Sequence, residues 1–143
     1  MKRFTFNLQK VLDLRNFEME QAELELGKAN AEVNRIQKQL DAVASQRVNV
    51  SKQIEGTKDF TLYSNANQYF RFLDKKKEQF LEEIAQANLV ADEKREVLKE
   101  KMQKVKVLEK LKEKKITEWK KESLKEEELS MDDVVTAKYN QKN

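Results

Sequence analysis

The sequence predicts an all-α fold, a long antiparallel coiled-coil hairpin made of two helices. Three observations predict it. Charged residues make up 38% of the 143-residue chain and hydrophobic residues another 38%. An ordinary domain carries about 25% charged residues, so the apolar material here fits narrow stripes rather than a thick core. The chain has no proline and only two glycines, Gly27 and Gly56, a composition that long helices tolerate and turn-rich folds do not. Apolar residues also recur at alternating spacings of three and four on both sides of Gly56, which is the seam pattern of a coiled coil.

The first seam runs through Leu8, Leu12, Arg15, Met19, Ala22, Leu26, Ala29, Val33, Ile36, Leu40, Val43, Arg47, Val50 and Ile54. Only Arg15 and Arg47 are not apolar. The pattern then stops at Gly56-Thr57-Lys58-Asp59, the one strong break in the chain. Glycine ends helices by adopting the left-handed conformation at little cost, and Ser64 or Asp59 is placed to cap the next helix. The second seam runs through Ala66, Phe70, Leu73, Lys77, Phe80, Ile84, Ala87, Ala91, Lys94, Leu98, Lys101 or Met102, Val105 and Leu108. Leu111, Ile116 and Trp119 drift from its strict phase.

Folding the chain back at position 60 tests the two seams against each other. Residues equidistant from that position then face each other: Leu12 and Leu108, Ala22 and Leu98, Val33 and Ala87, Ile36 and Ile84, Leu40 and Phe80, Val50 and Phe70. The same rule sets Arg15 opposite Val105, Arg47 opposite Leu73, Lys77 opposite Val43 and Lys94 opposite Leu26. No two seam charges coincide, and each long stem lies on an apolar partner while its charge reaches water. The expected organisation is a single coiled-coil domain: helix one over 5–55, a turn over 56–63, helix two over 64–127, and a frayed polar tail over 130–143. At 1.5 Å per residue the helices are ~75 Å and ~90 Å long, a thin rod.

Composition excludes much chemistry. The chain has no cysteine and no histidine, which removes disulfides, thiol nucleophiles, the usual zinc ligands and the commonest general base. No glycine-rich phosphate loop, H-E-x-x-H motif or calcium loop occurs. An exposed rod offers no cleft to shift a pKa or exclude water. The chain is therefore read as a binding protein with no catalytic residues, metal or cofactor. Met1-Lys2-Arg3 is not read as the start of a secretory leader, because Asn7, Gln9, Lys10 and Asp13 interrupt any apolar run. No stretch approaches the ~20 apolar residues of a membrane span, so a cytoplasmic protein without direct membrane insertion is expected.

Three stretches are left for partners. Residues 60–80 hold Phe60, Tyr63, Tyr69, Phe70, Phe72 and Phe80. A two-helix seam has room for Phe70 and Phe80 but little for Tyr69 and Phe72, and exposed clustered aromatics mark protein-binding patches. Phe60 and Tyr63 fit equally an end plug or a binding patch. At the opposite end the fold-back rule sets Phe4 against Ile116 and Met1 against Trp119. Phe4 reads as a plug, and Trp119 stays open between plug and docking surface. Finally, residues 99–121 contain ten lysines and four glutamates, and 122–133 contain six acids and one lysine. Most charge runs are solvated helix faces. Here Lys110 and Lys114 are like charges one turn apart, which points to an acidic partner. Nucleic acid is not expected, because the net charge is only +3 and the basic run adjoins an acidic one.

Several motifs resemble one family. Phe4-Thr5-Phe6-Asn7-Leu8-Gln9-Lys10-Val11-Leu12-Asp13-Leu14-Arg15 is similar to the opening of FliJ, a flagellar type III export protein. Ala66-Asn67-Gln68-Tyr69-Phe70-Arg71-Phe72-Leu73 resembles the family's aromatic start of helix two. Lys106-Val107-Leu108-Glu109-Lys110-Leu111-Lys112-Glu113-Lys114 resembles its lysine-rich stretch, followed by its acidic end. The resemblance covers most of the chain. It implies an antiparallel two-helix rod like the stalk of rotary ATPases, inserted into the hexameric flagellar export ATPase and promoting its assembly or activity. It also implies contact with the cytoplasmic domain of the membrane export gate protein and with export chaperones. The expected location is cytoplasmic, peripheral at the export apparatus on the inner membrane face. Carried over by position, the gate-binding residues are Leu40, Val43, Arg47, Tyr69, Phe72, Leu73 and Phe80, with Lys76 and Lys77 standing where the family's apolar face is expected. The ATPase-binding residues are Lys10, Arg15, Lys104, Lys110, Lys114 and Trp119. The alternatives are a structural or chaperone-adaptor coiled coil with no effect on an ATPase, and a nucleic-acid-binding coiled coil.

Overall fold

The structure, a computed structural model, describes residues 2–142. Two helices make the fold, α1 over Gln9–Gln53 and α2 over Phe60–Lys142. They pack against each other as an all-α hairpin, and no strand occurs among the described residues. The chain divides into two compact units. One combines residues up to Met19 with those from Glu100 onward, and the other spans Glu20–Lys99.

In the Glu20–Lys99 unit, the hairpin turn follows from local chemistry. α1 ends in tightening turns, with Ile54 N–H donating to the Val50 carbonyl at 3.2 Å and Thr57 N–H to the Ile54 carbonyl at 3.1 Å. Gly56 takes φ 75°, a conformation that a Cβ would strain. Of the two candidate caps, Asp59 is the one used. Its Oδ1 accepts the N–H groups of Thr61 at 3.0 Å and Leu62 at 3.4 Å, satisfying two donors that the first turn of α2 leaves open. The helix therefore starts at Phe60, ahead of Ser64. Asp59→Ala is expected to lower stability by about 1 kcal/mol, read as a shift in denaturation midpoint.

The core of this unit is Ala22, Ile36, Ala66, Leu73 and Ala91, all on the two seams. The fold-back register is met as well: Arg47, the expected neighbour of Leu73, bonds Asp74 Oδ1 at 2.8 Å and lies over the Phe70 ring at 4.6 Å. Its guanidinium is thus held between an aromatic ring and a carboxylate.

In the other unit, Leu12 and Val105 are the buried seam residues. Lys101 reaches Glu18 at 3.5 Å and Lys112 donates to Gln9 Oε1 at 2.7 Å, again in the fold-back register. Between the two seam candidates, Lys101 is half-buried and Met102 is 50% exposed. Helix one starts at Gln9 rather than near residue 5. Residues 2–6 are not helical, and Gln9 N–H closes a turn on the Phe6 carbonyl at 3.0 Å. At the other extreme, α2 continues through the polar tail to Lys142. Nothing stops it, since neither glycine nor proline follows Gly56. Among the described residues, no helix is long and apolar enough to cross a membrane.

Candidate protein-binding surfaces

The aromatic surface lies in the Glu20–Lys99 unit, on the first turns of α2. The seam there must bury residues at alternating steps of three and four, which leaves Tyr69 and Phe72 on its flank. Their rings stack at 6.1 Å with planes 23° apart. Tyr69 is 36% and Phe72 53% exposed. Two polar neighbours that the sequence did not assign a role hold them in place. The Tyr69 hydroxyl donates to Gln46 Oε1 at 3.2 Å, and Lys76 Nζ sits 5.8 Å from the Phe72 ring. The result is an aromatic ledge with a cation at its edge, close to the Arg47–Asp74 pair.

The remaining residues expected on this surface serve it differently. Leu73 is 1% exposed, so it belongs to the seam beneath and presents nothing to a partner. Its position on the buried stripe, facing Arg47, is the reason. Leu40, Val43 and Phe80 are half-buried seam residues, while Arg47 is exposed. Phe60 and Tyr63 do not form a plug, being 82% and 51% exposed.

The second surface lies in the unit of the chain ends. Trp119 does form a plug. Its indole N–H donates to the Lys2 carbonyl at 3.0 Å, and its ring packs on Phe4 at 5.9 Å with planes 59° apart. Phe4 was expected against Ile116, one turn earlier. The shift has a simple cause: an extended segment advances about 3.3 Å per residue and a helix 1.5 Å, so residues 2–6 overrun the helical register. The expected contact of Met1 falls outside the described residues. A cavity of about 580 Å³ opens beside this plug, lined by Phe4, Phe6, Leu111, Lys115 and Trp119 among others.

Of the expected ATPase-binding cations, Arg15 is half-buried and bonds Glu18 at 3.1 Å. That hydrogen bond, with a smaller contribution from Lys101, holds the Glu18 carboxyl below the usual glutamate range. Lys10, Lys104, Lys110 and Lys114 are exposed. Helix geometry brings Lys110 and Lys114 onto one face, whereas Lys104 lies about 120° round the helix from Lys110. Neither Lys110 nor Lys114 forms an ion pair among the described residues.

Comparison with known protein families adds the deciding observation. The family model described as flagellar FliJ protein matches residues 4–143. The chain belongs to the FliJ family. Membership makes this chain a component of flagellar export, and the FliJ family is non-catalytic. Comparisons with curated proteins and with solved structures gave no match.

Proposed function

We propose that this FliJ-family chain is a stalk-like subunit of the flagellar export ATPase, promoting assembly and turnover of its hexameric ring and linking it to the export gate. The observation that carries this reading is the family match over residues 4–143. Lys10, Lys104, Lys110 and Lys114, all exposed in the unit of the chain ends, contact the ring. Arg15 and Trp119 act there indirectly, by holding the seam and the N-terminal segment. The Tyr69–Phe72 ledge, with Arg47 and Lys76, contacts the cytoplasmic domain of the gate protein. Leu40, Val43, Leu73 and Phe80 support that ledge from the seam. The site of action is the cytoplasmic face of the inner membrane, where export chaperones are further partners.

The test is the turnover rate of the purified cognate export ATPase at low concentration, where rings are scarce, with and without this protein. Stimulation is expected, and Lys110→Glu with Lys114→Glu should reduce it at least about tenfold, the equivalent of ~1.4 kcal/mol of contact. No stimulation by the folded wild-type protein would overturn the stalk reading and leave a chaperone or gate adaptor that does not act on the ring.

A further inference from the structure

The last part of α2 carries a face with no partner among the described residues. Beyond Ser123 the described residues are exposed all round, including Leu124, Met131, Val135 and Tyr139. An isolated helix of this length gains little from propensity alone and depends on packing of a face.

The face opposite the α1 contact repeats at steps of three and four through Gln103, Val107, Lys110, Lys114, Thr117, Lys121, Lys125, Glu128, Asp132, Val135 and Tyr139. All of these residues are exposed. Read outward from Lys121, the two arms are complementary. Lys114 stands at the same distance from Lys121 as Glu128, Lys110 as Asp132, Val107 as Val135, and Gln103 as Tyr139. Val107 and Val135 are 66% and 65% exposed. A two-fold axis at Lys121 would lay each arm on the opposite arm of a second chain.

We infer that this face is a docking site for a second copy of the chain, forming an antiparallel dimer in which Lys110 and Lys114 of one copy meet Asp132 and Glu128 of the other. The interface is self-complementary, as two-fold symmetry requires. Each ion pair occurs twice, Val107 packs on Val135 twice, and Tyr139 covers Gln103. Opposite charges across a coiled-coil seam set partner and orientation, and a parallel pairing would bring lysine against lysine. Only Lys121, on the axis, meets a like charge. The inference does not rest on the ATPase reading: the dimer covers Lys110 and Lys114, so a chain paired in this way is not the one that uses them to contact the ring.

Sedimentation equilibrium of the full-length protein alone tests it. At low salt and micromolar concentration the mass should rise from 16.9 kDa toward twice that value. It should fall back as salt contracts the Debye length to about 3 Å near 1 M. Lys110→Glu with Lys114→Glu should remain monomeric, because its acidic arms repel. Glu128→Lys with Asp132→Lys should do the same for the opposite reason. An equimolar mixture of the two variants should associate one to one, since each arm again finds its complement, and Lys121→Leu should tighten the wild-type dimer. Circular dichroism of each variant establishes that the helices persist. A wild-type protein that stays monomeric, a dimer indifferent to salt, or a mixture that fails to associate would each overturn the inference.

Discussion

Leu73→Ala is expected to lower the unfolding free energy by about 2–4 kcal/mol, the cost of deleting a buried leucine and leaving part of its cavity. Leu73 is 1% exposed, and the structure has few residues buried so completely. A seam one layer wide has no second shell of apolar groups to collapse into the space. Chemical denaturation reads the change directly. The contrasting variant is Tyr69→Ala with Phe72→Ala. Both rings lie outside the seam, so their loss should cost no more than about 1 kcal/mol of stability, from one aromatic pair. The same double variant should weaken capture of the gate protein's cytoplasmic domain at least tenfold, ~1.4 kcal/mol, with helicity unchanged. Undiminished capture would remove the ledge from the gate contact. Leu73→Ala, by contrast, should affect capture only in proportion to the protein it unfolds.

Phe4→Ala is expected to release residues 2–8 from α2. Phe4 contributes an edge-tilted aromatic contact to Trp119, at 5.9 Å, and the Trp119–Lys2 hydrogen bond is the other tie. Losing the ring removes about 1–2 kcal/mol of local stabilisation, from the pair and the area it covers. Trp119 is the sole tryptophan of the chain, so its fluorescence should shift to the red, reporting a wetter indole. Amide exchange at Gln9, whose N–H closes the turn on the Phe6 carbonyl, should accelerate while the Leu12–Val105 layer stays protected. An unchanged emission spectrum would show that Trp119 is held by something other than this segment.

Much of the fold was legible because a coiled coil writes its core in a simple period. Leu12, Ala22, Ile36, Ala66, Leu73, Ala91 and Val105 are buried, and each stands on a stripe read from spacing alone. The side-chain contacts of Arg47, Lys101 and Lys112 then fix the same fold-back register. The N-terminus was not legible in this way. Residues 2–6 continue no period, and whether they are helical depends on how Phe4 and Phe6 find apolar surface on α2, a tertiary question. The extent of α2 is not legible for a related reason. Polarity marks a segment that buries little, but it does not stop a helix that lacks glycine and proline.

The surfaces were legible in part. Tyr69 and Phe72 could be set aside as exposed because the seam had no room for them. Leu73 was assigned two roles that compete, seam and contact, and burial decides for the seam. Of the partners of the ledge, Gln46 carries no sequence signal of its own, and Lys76 shows in the sequence only as a charge on an otherwise apolar face. Lys104 and Lys110 look equivalent in a lysine-rich run, but the 3.6-residue period points them in different directions.

The seam has a mechanical consequence. Each layer joins one residue of α1 to one of α2, so cohesion accumulates stepwise along the contact, much as in a repeat array, and no single nucleus must break first. Within each unit opening is then graded, layer by layer, each at its own small increment.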